Sequence, residues 1–264
     1  MNQEKSFVIF LFKILPKSFL SRIFGYITRL PLPQFVMSGI ITWYKGRFGV
    51  MDEYSVPAGG FRTLDDFFTR KLKPGARTID RKKNTAVSPV DARVDQFGRI
   101  MDGTLIQAKG ITYSLSDLIP SEYGMRFHGG SFITLYLSPG DYHRIHSPVD
   151  GAIEGFFHIP GKLYTVQEFM VAGLPGLFSL NERLISYIST PSGAVAVCKI
   201  GAMNVGRISL AYSDIVTNRM IRKKREVRFN SHEKISIRKG DELGTFHLGS
   251  TIVLLFENRK VAFS

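Results

Sequence analysis

Apolar residues follow two different patterns along the chain. Over the first 50 residues they are mixed with Lys and Arg and interrupted by Pro16, Pro31 and Pro33, which predicts a set of helices. From Thr85 onward, short apolar runs are separated by Gly, Pro, Asp and Asn, as in strands joined by turns. We therefore expect an α+β fold, in which an amphipathic helical N-terminal section precedes a mostly antiparallel, β-rich body.

A turn-forming segment, PAGG at 57–60, separates the two parts. Thr63 follows it and is suited to cap a helix, because acidic residues come next and the basic residues Arg70 and Lys71 would lie in the last turn. That order of charges stabilises both ends of a helix through its dipole. The pattern predicts a helix from Thr63 to about Lys71.

The N-terminal section holds two strongly apolar stretches, residues 7–15 and 35–44. Neither reaches the roughly 18–20 apolar residues that cross a bilayer, and no signal-peptide cleavage site follows the first. Basic residues accompany the Phe and Leu side chains there, namely Lys5, Lys13, Lys17, Arg22 and Arg29. This composition predicts a helical region lying in a membrane interface, with a core helix of a soluble domain as the alternative. We divide the chain into a membrane-associating helical region, 1–58, and a β-rich domain, 59–264.

The chain is strongly basic. It has 35 Lys and Arg against 22 Asp and Glu, a formal net charge of +13, which predicts an anionic partner such as nucleic acid, an acidic lipid surface or a phosphorylated substrate. The basic run NRMIRKKREVR at 218–228 is either a solvated hairpin or a patch for lipid phosphates, and no nucleic-acid-binding motif accompanies it. The single cysteine, Cys198, excludes an intrachain disulfide and a zinc site with two thiolates from this chain.

The densest group of polar residues is SPGDYHRIHSPVDG at 138–151, in which His143 and His146 are three positions apart. On a helix these two residues would share a face, whereas on a strand they point to opposite sides. The preceding FITLYL predicts a strand, so we expect the two histidines to have different surroundings and different tasks. A zinc site would need a third ligand, such as Asp91 or His247, which the spacing does not require.

Two further segments carry candidate chemistry. Asp91, in SPVDARV, is either a turn-stabilising carboxylate or the orienting group of a catalytic base. Gly249 and Ser250 precede the apolar run TIVLLF, where a serine beside a base could attack its own preceding carbonyl and convert the amide into an ester. Asp91, His146 and Ser250 could act as acid, base and nucleophile if folding brings them together. A plain turn at Gly249 is the alternative.

Five segments in order resemble the phosphatidylserine decarboxylase family, the pyruvoyl-dependent enzymes of the prokaryotic type. They are FRTLDDFFTRKLKPGAR (61–77), SPVDARV (88–94), FITLYLSPGDYHRIHSPVDG (132–151), IGAMNVGRI (200–208) and KGDELGTFHLGST (239–251). Each segment is modestly specific alone, and together they span most of the chain. The family also shares the amphipathic, membrane-associated N-terminus.

The resemblance implies a self-processing enzyme. The proenzyme would cleave itself between Gly249 and Ser250 through a triad of Asp91, His146 and Ser250, leaving a β chain of 1–249 and an α chain of 250–264. Elimination of the serine ester and hydrolysis would convert Ser250 into a pyruvoyl group and release ammonia. This cofactor would serve as an electron sink while CO2 leaves phosphatidylserine, and His143 would return a proton to the α-carbon, giving phosphatidylethanolamine.

The same resemblance implies the setting of the reaction. We expect a peripheral protein on the cytoplasmic face of an anionic phospholipid membrane, with no nucleic-acid partner and no metal, and with a homodimer as an open possibility. The alternatives are a decarboxylase of a related serine phospholipid and a zinc-dependent hydrolase that uses His143, His146 and an aspartate. A lipid-binding module without catalysis is a third hypothesis.

Overall fold

The structure is a computed structural model of the chain, and it describes residues 9, 12, 14–108, 110–203, 207–219, 223–247, 250–257 and 261–262. The longer helices come first and a β-rich body of antiparallel sheets follows, which confirms the expected α+β class. Side chains from both parts, such as Tyr44 and Phe67, pack in one hydrophobic core. The division at residue 58 stays a prediction.

The helical part contains two longer helices, α1 (Lys17–Ile27) and α2 (Gln34–Phe48), and a short helix, α3 (Leu64–Phe68). α2 ends at Gly49, whose backbone is left-handed with φ of 67°, as is common at a helix C-terminus. Within the described ranges, no helix combines the length and the hydropathy that crossing a bilayer requires.

α3 begins where the sequence predicts and ends earlier. The Thr63 hydroxyl accepts the N–H of Asp66 at 3.0 Å, and the Asp66 carboxylate accepts the N–H of Thr63 at 3.1 Å, which is a capping box. The helix stops at Phe68, so the predicted extension into the basic turn is wrong. Arg70 instead turns inward and donates to the carbonyl oxygen of Gly140 at 2.9 Å.

The body is built mainly from antiparallel strands. They are β1 (Arg93–Arg99), β2 (Thr104–Ala108), β3 (Ile111–Ser114), β4 (Ser131–Tyr136), β5 (Arg144–His146), β6 (Gly151–Ile159), β7 (Arg183–Thr190), β8 (Gly193–Ile200), β9 (Ile208–Leu210), β10 (Ser213–Val216), β11 (Arg225–Arg228), β12 (Ile235–Ile237), β13 (Glu242–Phe246) and β14 (Thr251–Phe256). Short helical segments lie among them: α4 (Leu115–Leu118), a 3₁₀ helix (Glu122–Phe127), α5 (Glu168–Val171) and α6 (Leu177–Leu180).

The strands form three sheets in the described part. The large sheet has eight strands in the order β1-β4-β14-β8-β7-β6-β11, with β12 also paired to β6. A four-stranded sheet has the order β10-β9-β13-β5, and β2 pairs with β3. β14 therefore lies inside the large sheet and is hydrogen-bonded to β4 on one side and β8 on the other.

Two hydrophobic cores bury both faces of the large sheet. Val253 and Leu255 of β14 pack in the core that includes the helices, whereas Ile252 and Leu254 pack in the core that includes the four-stranded sheet. Because successive side chains of a strand alternate between faces, a strand buried on both sides reads as a continuous apolar run. Burial of β14 on both faces therefore explains why the TIVLLF segment after Ser250 is a continuous apolar run.

The basic run at 218–228 is only partly described, since residues 220–222 lie outside the described residues. Its last four residues form β11, at one edge of the large sheet. The guanidinium of Arg228 lies 3.8 Å from the ring centre of Tyr123 and 4.3 Å from that of Tyr187. Arg228 thus contributes cation–π contacts to the fold in addition to surface charge.

The side-chain amine of Lys199, in β8, is buried and has no carboxylate partner among the described residues. Its Nζ donates to the Ser186 hydroxyl at 2.6 Å, and that hydroxyl is hydrogen-bonded to the Tyr212 hydroxyl at 2.6 Å. Burial lowers the pKa of Lys199 from 10.5 to about 7. Charging this amine in the folded chain therefore costs free energy.

We expect Lys199→Met to stabilise the protein by about 2–4 kcal/mol at neutral pH, because methionine fills the same space without a charge. The folded pKa is lower than the unfolded one, so the cost of Lys199 builds up as the pH falls from 10.5 to about 7 and is complete below that. Urea unfolding at pH 7 and pH 9.5 should show a larger gain at pH 7. Exposed Lys83→Met is the control, and an equal gain there would contradict the assignment.

Candidate active site

The segment before His143 and the segment before Ser250 lie side by side. The N–H of Leu137 donates to the carbonyl oxygen of Ser250 at 2.9 Å, and the N–H of Phe246 donates to the carbonyl oxygen of His143 at 2.9 Å. These two bonds tie residues 137–143 to residues 246–250. His143 and Ser250 therefore belong to one pair of adjoining segments, although their sequence positions are far apart.

The helical part holds the loop that leads to His143. The Tyr44 hydroxyl of α2 donates to the carbonyl oxygen of Pro139 at 2.8 Å, and Arg70 donates to those of Gly140 and Asp141 at 2.9 and 3.0 Å. A side chain at position 140 would meet the Phe48 carbonyl oxygen at 2.2 Å, so this close approach requires glycine. The end of α2 is thus fixed against the loop at residues 139–141, which leads to His143.

Ser250 is fully buried, immediately before β14. Its hydroxyl has no hydrogen-bond partner among the described residues. Removal of this hydroxyl would therefore break no hydrogen bond among the described residues. Gly249, on the other side of the predicted scissile bond, lies outside the described residues.

His143 is also fully buried, and its ring packs edge-on against Phe68 with 6.1 Å between ring centres. Neither ring nitrogen has a well-formed hydrogen bond among the described residues. Burial, with a smaller contribution from the Arg70 charge, lowers the pKa of His143 to about 4, and the backbone of Asp141 partly opposes this. The imidazole is therefore neutral at neutral pH.

His146 has different surroundings, as the sequence predicts. Its Nδ1 lies 2.7 Å from the Gly240 carbonyl oxygen, and its Nε2 lies 3.1 Å from the Tyr142 hydroxyl. Because a carbonyl only accepts, Nδ1 carries the hydrogen, which leaves the Nε2 lone pair to accept from Tyr142 in the neutral ring. Burial raises the pKa of Tyr142 to about 12, so Tyr142 keeps its proton.

Asp91 is paired with an arginine. Arg77 donates to its two carboxylate oxygens, from Nε at 3.0 Å and from Nη2 at 2.7 Å, and also donates to Glu53 at 2.6 Å. These hydrogen bonds raise the pKa of the Arg77 guanidinium above its usual range. A bidentate pair of this kind fixes the orientation of the carboxylate.

The backbone brings the Asp91 and His146 segments together. The N–H of His146 donates to the Pro89 carbonyl oxygen at 2.8 Å, and the N–H of Val87 donates to that of Pro148 at 2.9 Å. The expected side-chain bonds of the triad are not formed in the described part, because Arg77 holds Asp91 and the Gly240 carbonyl holds Nδ1 of His146. The catalytic roles of Asp91, His146 and Ser250 stay a prediction.

His247 takes part in an arrangement that the spacing of residues did not predict. Its Nδ1 lies 2.8 Å from a carboxylate oxygen of Asp65 in α3, and its Nε2 lies 3.2 Å from the hydroxyl of Ser209 in β9. The backbone N–H of His247 also donates to the Arg207 carbonyl oxygen at 3.0 Å. These contacts fix the chain three residues before Ser250 against α3 and β9.

The histidines do not form a metal site in the part of the chain that the structure describes. No group of three His, Cys, Asp or Glu side chains there has the spacing needed to share an ion. The His143 ring packs against Phe68, the His146 ring is hydrogen-bonded to the Gly240 carbonyl oxygen, and the His247 ring is hydrogen-bonded to the Asp65 carboxylate. The donor set that a zinc-dependent hydrolase would need is thus dispersed.

The sequence is similar to known proteins over most of its length. The model of the family described as phosphatidylserine decarboxylase matches residues 64–264. The phosphatidylserine decarboxylase proenzyme of Brevibacillus brevis is 42% identical over 257 residues, which cover 95% of this chain and 89% of the relative. The proenzyme of Myxococcus xanthus is 42% identical over 255 residues, covering 96% and 90%, and that of Acinetobacter baylyi is 35% identical over 253 residues, covering 95% and 86%.

These relatives define an enzyme of the carboxy-lyase class. The chain belongs to the phosphatidylserine decarboxylase family.

Proposed function

We propose that this chain is a proenzyme that cleaves itself between Gly249 and Ser250, converts Ser250 into a pyruvoyl group and decarboxylates phosphatidylserine to phosphatidylethanolamine. The observation that carries the proposal is the buried Ser250 hydroxyl, which has no partner among the described residues. In the described part of the chain, this hydroxyl makes no hydrogen bond that would stabilise the fold. The position fits a group that is generated in place from the serine itself.

The processing step needs a base for Ser250. The Ser250 Oγ attacks the Gly249 carbonyl carbon, the C–N bond breaks, and an ester forms. Elimination then frees the Gly249 carboxylate, and water replaces the nitrogen of residue 250 with a carbonyl oxygen, releasing ammonia. With Nδ1 of His146 donating to Gly240, its Nε2 is the nitrogen that would take the serine proton once the Tyr142 hydroxyl releases it. Asp91 would support the charged ring once it leaves Arg77 and replaces the Gly240 carbonyl as the acceptor of the Nδ1 hydrogen.

The large sheet explains how a short α chain stays bound after cleavage. β14, from Thr251 to Phe256, is paired along its length with both β4 and β8. Its side chains are buried on both faces of the sheet. The α chain would therefore remain attached without a covalent link, through β14 as an inner strand of the sheet.

His143 is the proposed proton donor to the α-carbon in the decarboxylation step. The pyruvoyl group supplies a carbonyl that reacts with the substrate amine and withdraws electrons while CO2 leaves. Because burial lowers the pKa of His143 to about 4, the ring is neutral before substrate binds and must gain a proton during the reaction before it acts as the acid. The same ring then returns the proton to the α-carbon, so His143 is neutral before the reaction and after it.

The surface of α1 supports a location at the membrane. The residues that α1 buries are Lys17 and Ser21, whereas its apolar side chains Tyr26 and Ile27 are 64% and 54% exposed. A helix that packed as part of a soluble core would show the opposite arrangement. Other large apolar side chains are exposed nearby in sequence, namely Phe19, Leu20, Ile23, Leu30, Phe35 and Trp43. We propose peripheral binding to the cytoplasmic face of an anionic membrane. A homodimer stays a prediction.

The test is turnover on vesicles. Cleaved protein should convert phosphatidylserine into equal amounts of phosphatidylethanolamine and CO2, and should leave phosphatidylcholine unchanged. A carbonyl reagent such as hydroxylamine should abolish this activity, whereas EDTA should not. Cleaved protein that is inactive on phosphatidylserine and active on a related serine phospholipid would contradict the substrate, and inhibition by EDTA would favour the hydrolase alternative.

The contact between Asp65 and His247 should affect processing. Asp65→Asn removes the charge that holds the chain three residues before Ser250, and we expect self-cleavage to slow about tenfold, since small displacements of reacting atoms have effects of that order. The neighbouring Asp66→Asn is the matched control, because Asp66 caps α3 and makes no bond to His247. Gel analysis of cleavage over time measures both, and equal rates for the two variants would contradict this role.

A further inference from the structure

Three arginines lie together beside the candidate active site, although they come from three distant segments. The N–H of Asp65 donates to the Thr28 carbonyl oxygen at 2.9 Å, which places Arg29 next to Asp65. A guanidinium nitrogen of Arg207 lies 3.9 Å from an Asp65 carboxylate oxygen. The N–H of Thr217 donates to the Ile208 carbonyl oxygen at 3.1 Å, which brings the chain leading to Arg219 alongside Arg207.

Positive charge at this place exceeds negative charge. Arg29 and Arg219 are exposed and have no carboxylate within ion-pair distance among the described residues, whereas Arg207 is partly buried beside Asp65. The charges of Arg29 and Arg219 add to burial in lowering the pKa of Arg207, and Asp65 opposes them. An anion with several oxygens placed between these guanidinium groups would relieve their repulsion.

The position of the cluster relates it to both the membrane and Ser250. Arg29 follows α1, close in sequence to the exposed apolar side chains of Tyr26, Ile27 and Leu30. The backbone carbonyl oxygen of Arg207 accepts the N–H of His247, and the three residues from His247 to Ser250 span at most about 10 Å. A phospholipid headgroup that reaches Ser250 would therefore hold its phosphate near the arginines.

We propose that Arg29, Arg207 and Arg219 form the site for the phosphate of the substrate headgroup. The site recognises a phosphodiester next to an acyl-bearing glycerol, and the α1 surface receives the acyl side. Arg207 is a binding residue within reach of the headgroup, and Arg29 and Arg219 complete the positive field around it. This assignment rests on the proposed function, because it takes phosphatidylserine as the substrate and Ser250 as the reacting position.

The test is steady-state decarboxylation of phosphatidylserine in micelles of an uncharged detergent. Arg207→Gln, and the double variant Arg29→Gln with Arg219→Gln, should each raise KM for phosphatidylserine about tenfold and leave kcat within about twofold. Arg207→Lys should recover part of the loss. Arg99→Gln is the matched control, because Arg99 lies at the end of β1 that pairs with Ser131, and Ser131 is opposite Phe256 at the far end of β14 from Ser250.

Two further measurements separate a substrate site from general attraction to anionic lipid. Binding of each variant to phosphatidylglycerol vesicles measures the general attraction. Competition of inorganic phosphate with phosphatidylserine in the micelle assay measures whether the arginines also bind a free anion. An unchanged KM in micelles, with binding to phosphatidylglycerol vesicles lost, would overturn the proposal. If Arg207→Gln fails to fold, the exposed double variant decides alone. A wild-type chain that does not cleave or turn over would instead contradict the proposed function itself.

Discussion

Ser250→Ala should give a single uncleaved chain that has no decarboxylase activity. Alanine lacks the oxygen that attacks the Gly249 carbonyl, and it cannot become a pyruvoyl group. We expect activity to fall by at least about 10⁴-fold, the scale of effect seen when a catalytic nucleophile is removed. Gel electrophoresis and an assay of CO2 release measure the two losses together.

This variant should also fold well, which makes its inactivity informative. The Ser250 hydroxyl is buried and has no partner among the described residues, so its removal should leave stability unchanged or increase it by about 1 kcal/mol. Thr251→Val is the control at the adjacent buried hydroxyl, and it should still cleave. An active Ser250→Ala protein would exclude the pyruvoyl mechanism.

His146 and His143 should fail at different stages. We expect His146→Ala to block self-cleavage, because Nε2 of His146 is the proposed base for Ser250. The His143→Ala protein should cleave itself more readily than the His146→Ala protein. Its cleaved form should nevertheless decarboxylate about 10²–10⁴-fold more slowly than the wild type, the range for loss of a general acid–base group. Cleavage is measured by gel, and turnover is measured on the cleaved fraction.

His143→Leu accompanies the alanine variant, because the His143 ring is fully buried against Phe68 and alanine would leave a cavity. If leucine restores stability and decarboxylation is still lost, packing is not the cause of the defect. If His143→Ala and His146→Ala block cleavage equally, the division of labour between the two histidines is wrong.

Local features of the fold could be read from the sequence. The capping box at Thr63 depends on residues within a few positions of each other. The continuous apolar run of β14 indicates that this strand is buried on both faces of the sheet. The early end of α3 could not be read in this way, and the contact that Arg70 makes beyond it, with Gly140, joins residues far apart in sequence.

The candidate site shows the same limit. The sequence indicates Asp91, His143, His146 and Ser250 by residue type and resemblance, and the fold brings their backbone segments into contact. Sequence spacing contains no information on the partner of each side chain. The pairing of Asp91 with Arg77 is therefore a finding of the structure.

The contact between Asp65 and His247 is a second finding of this kind. In the sequence Asp65 has the ordinary place of an acidic residue in the first turn of a helix, and the pattern offers His247 only as a third zinc ligand. Their 2.8 Å contact joins α3 to the segment before Ser250. Long-range packing, which no local pattern encodes, gives both residues their position.

An intact mass spectrum of the purified protein under denaturing conditions tests the central claim most directly. The account predicts two chains, one ending at Gly249 and one consisting of residues 250–264, with the second lighter than its serine form by one ammonia. That loss is the signature of a pyruvoyl group at position 250. A single mass equal to the full-length chain, from protein that decarboxylates phosphatidylserine, would contradict the account.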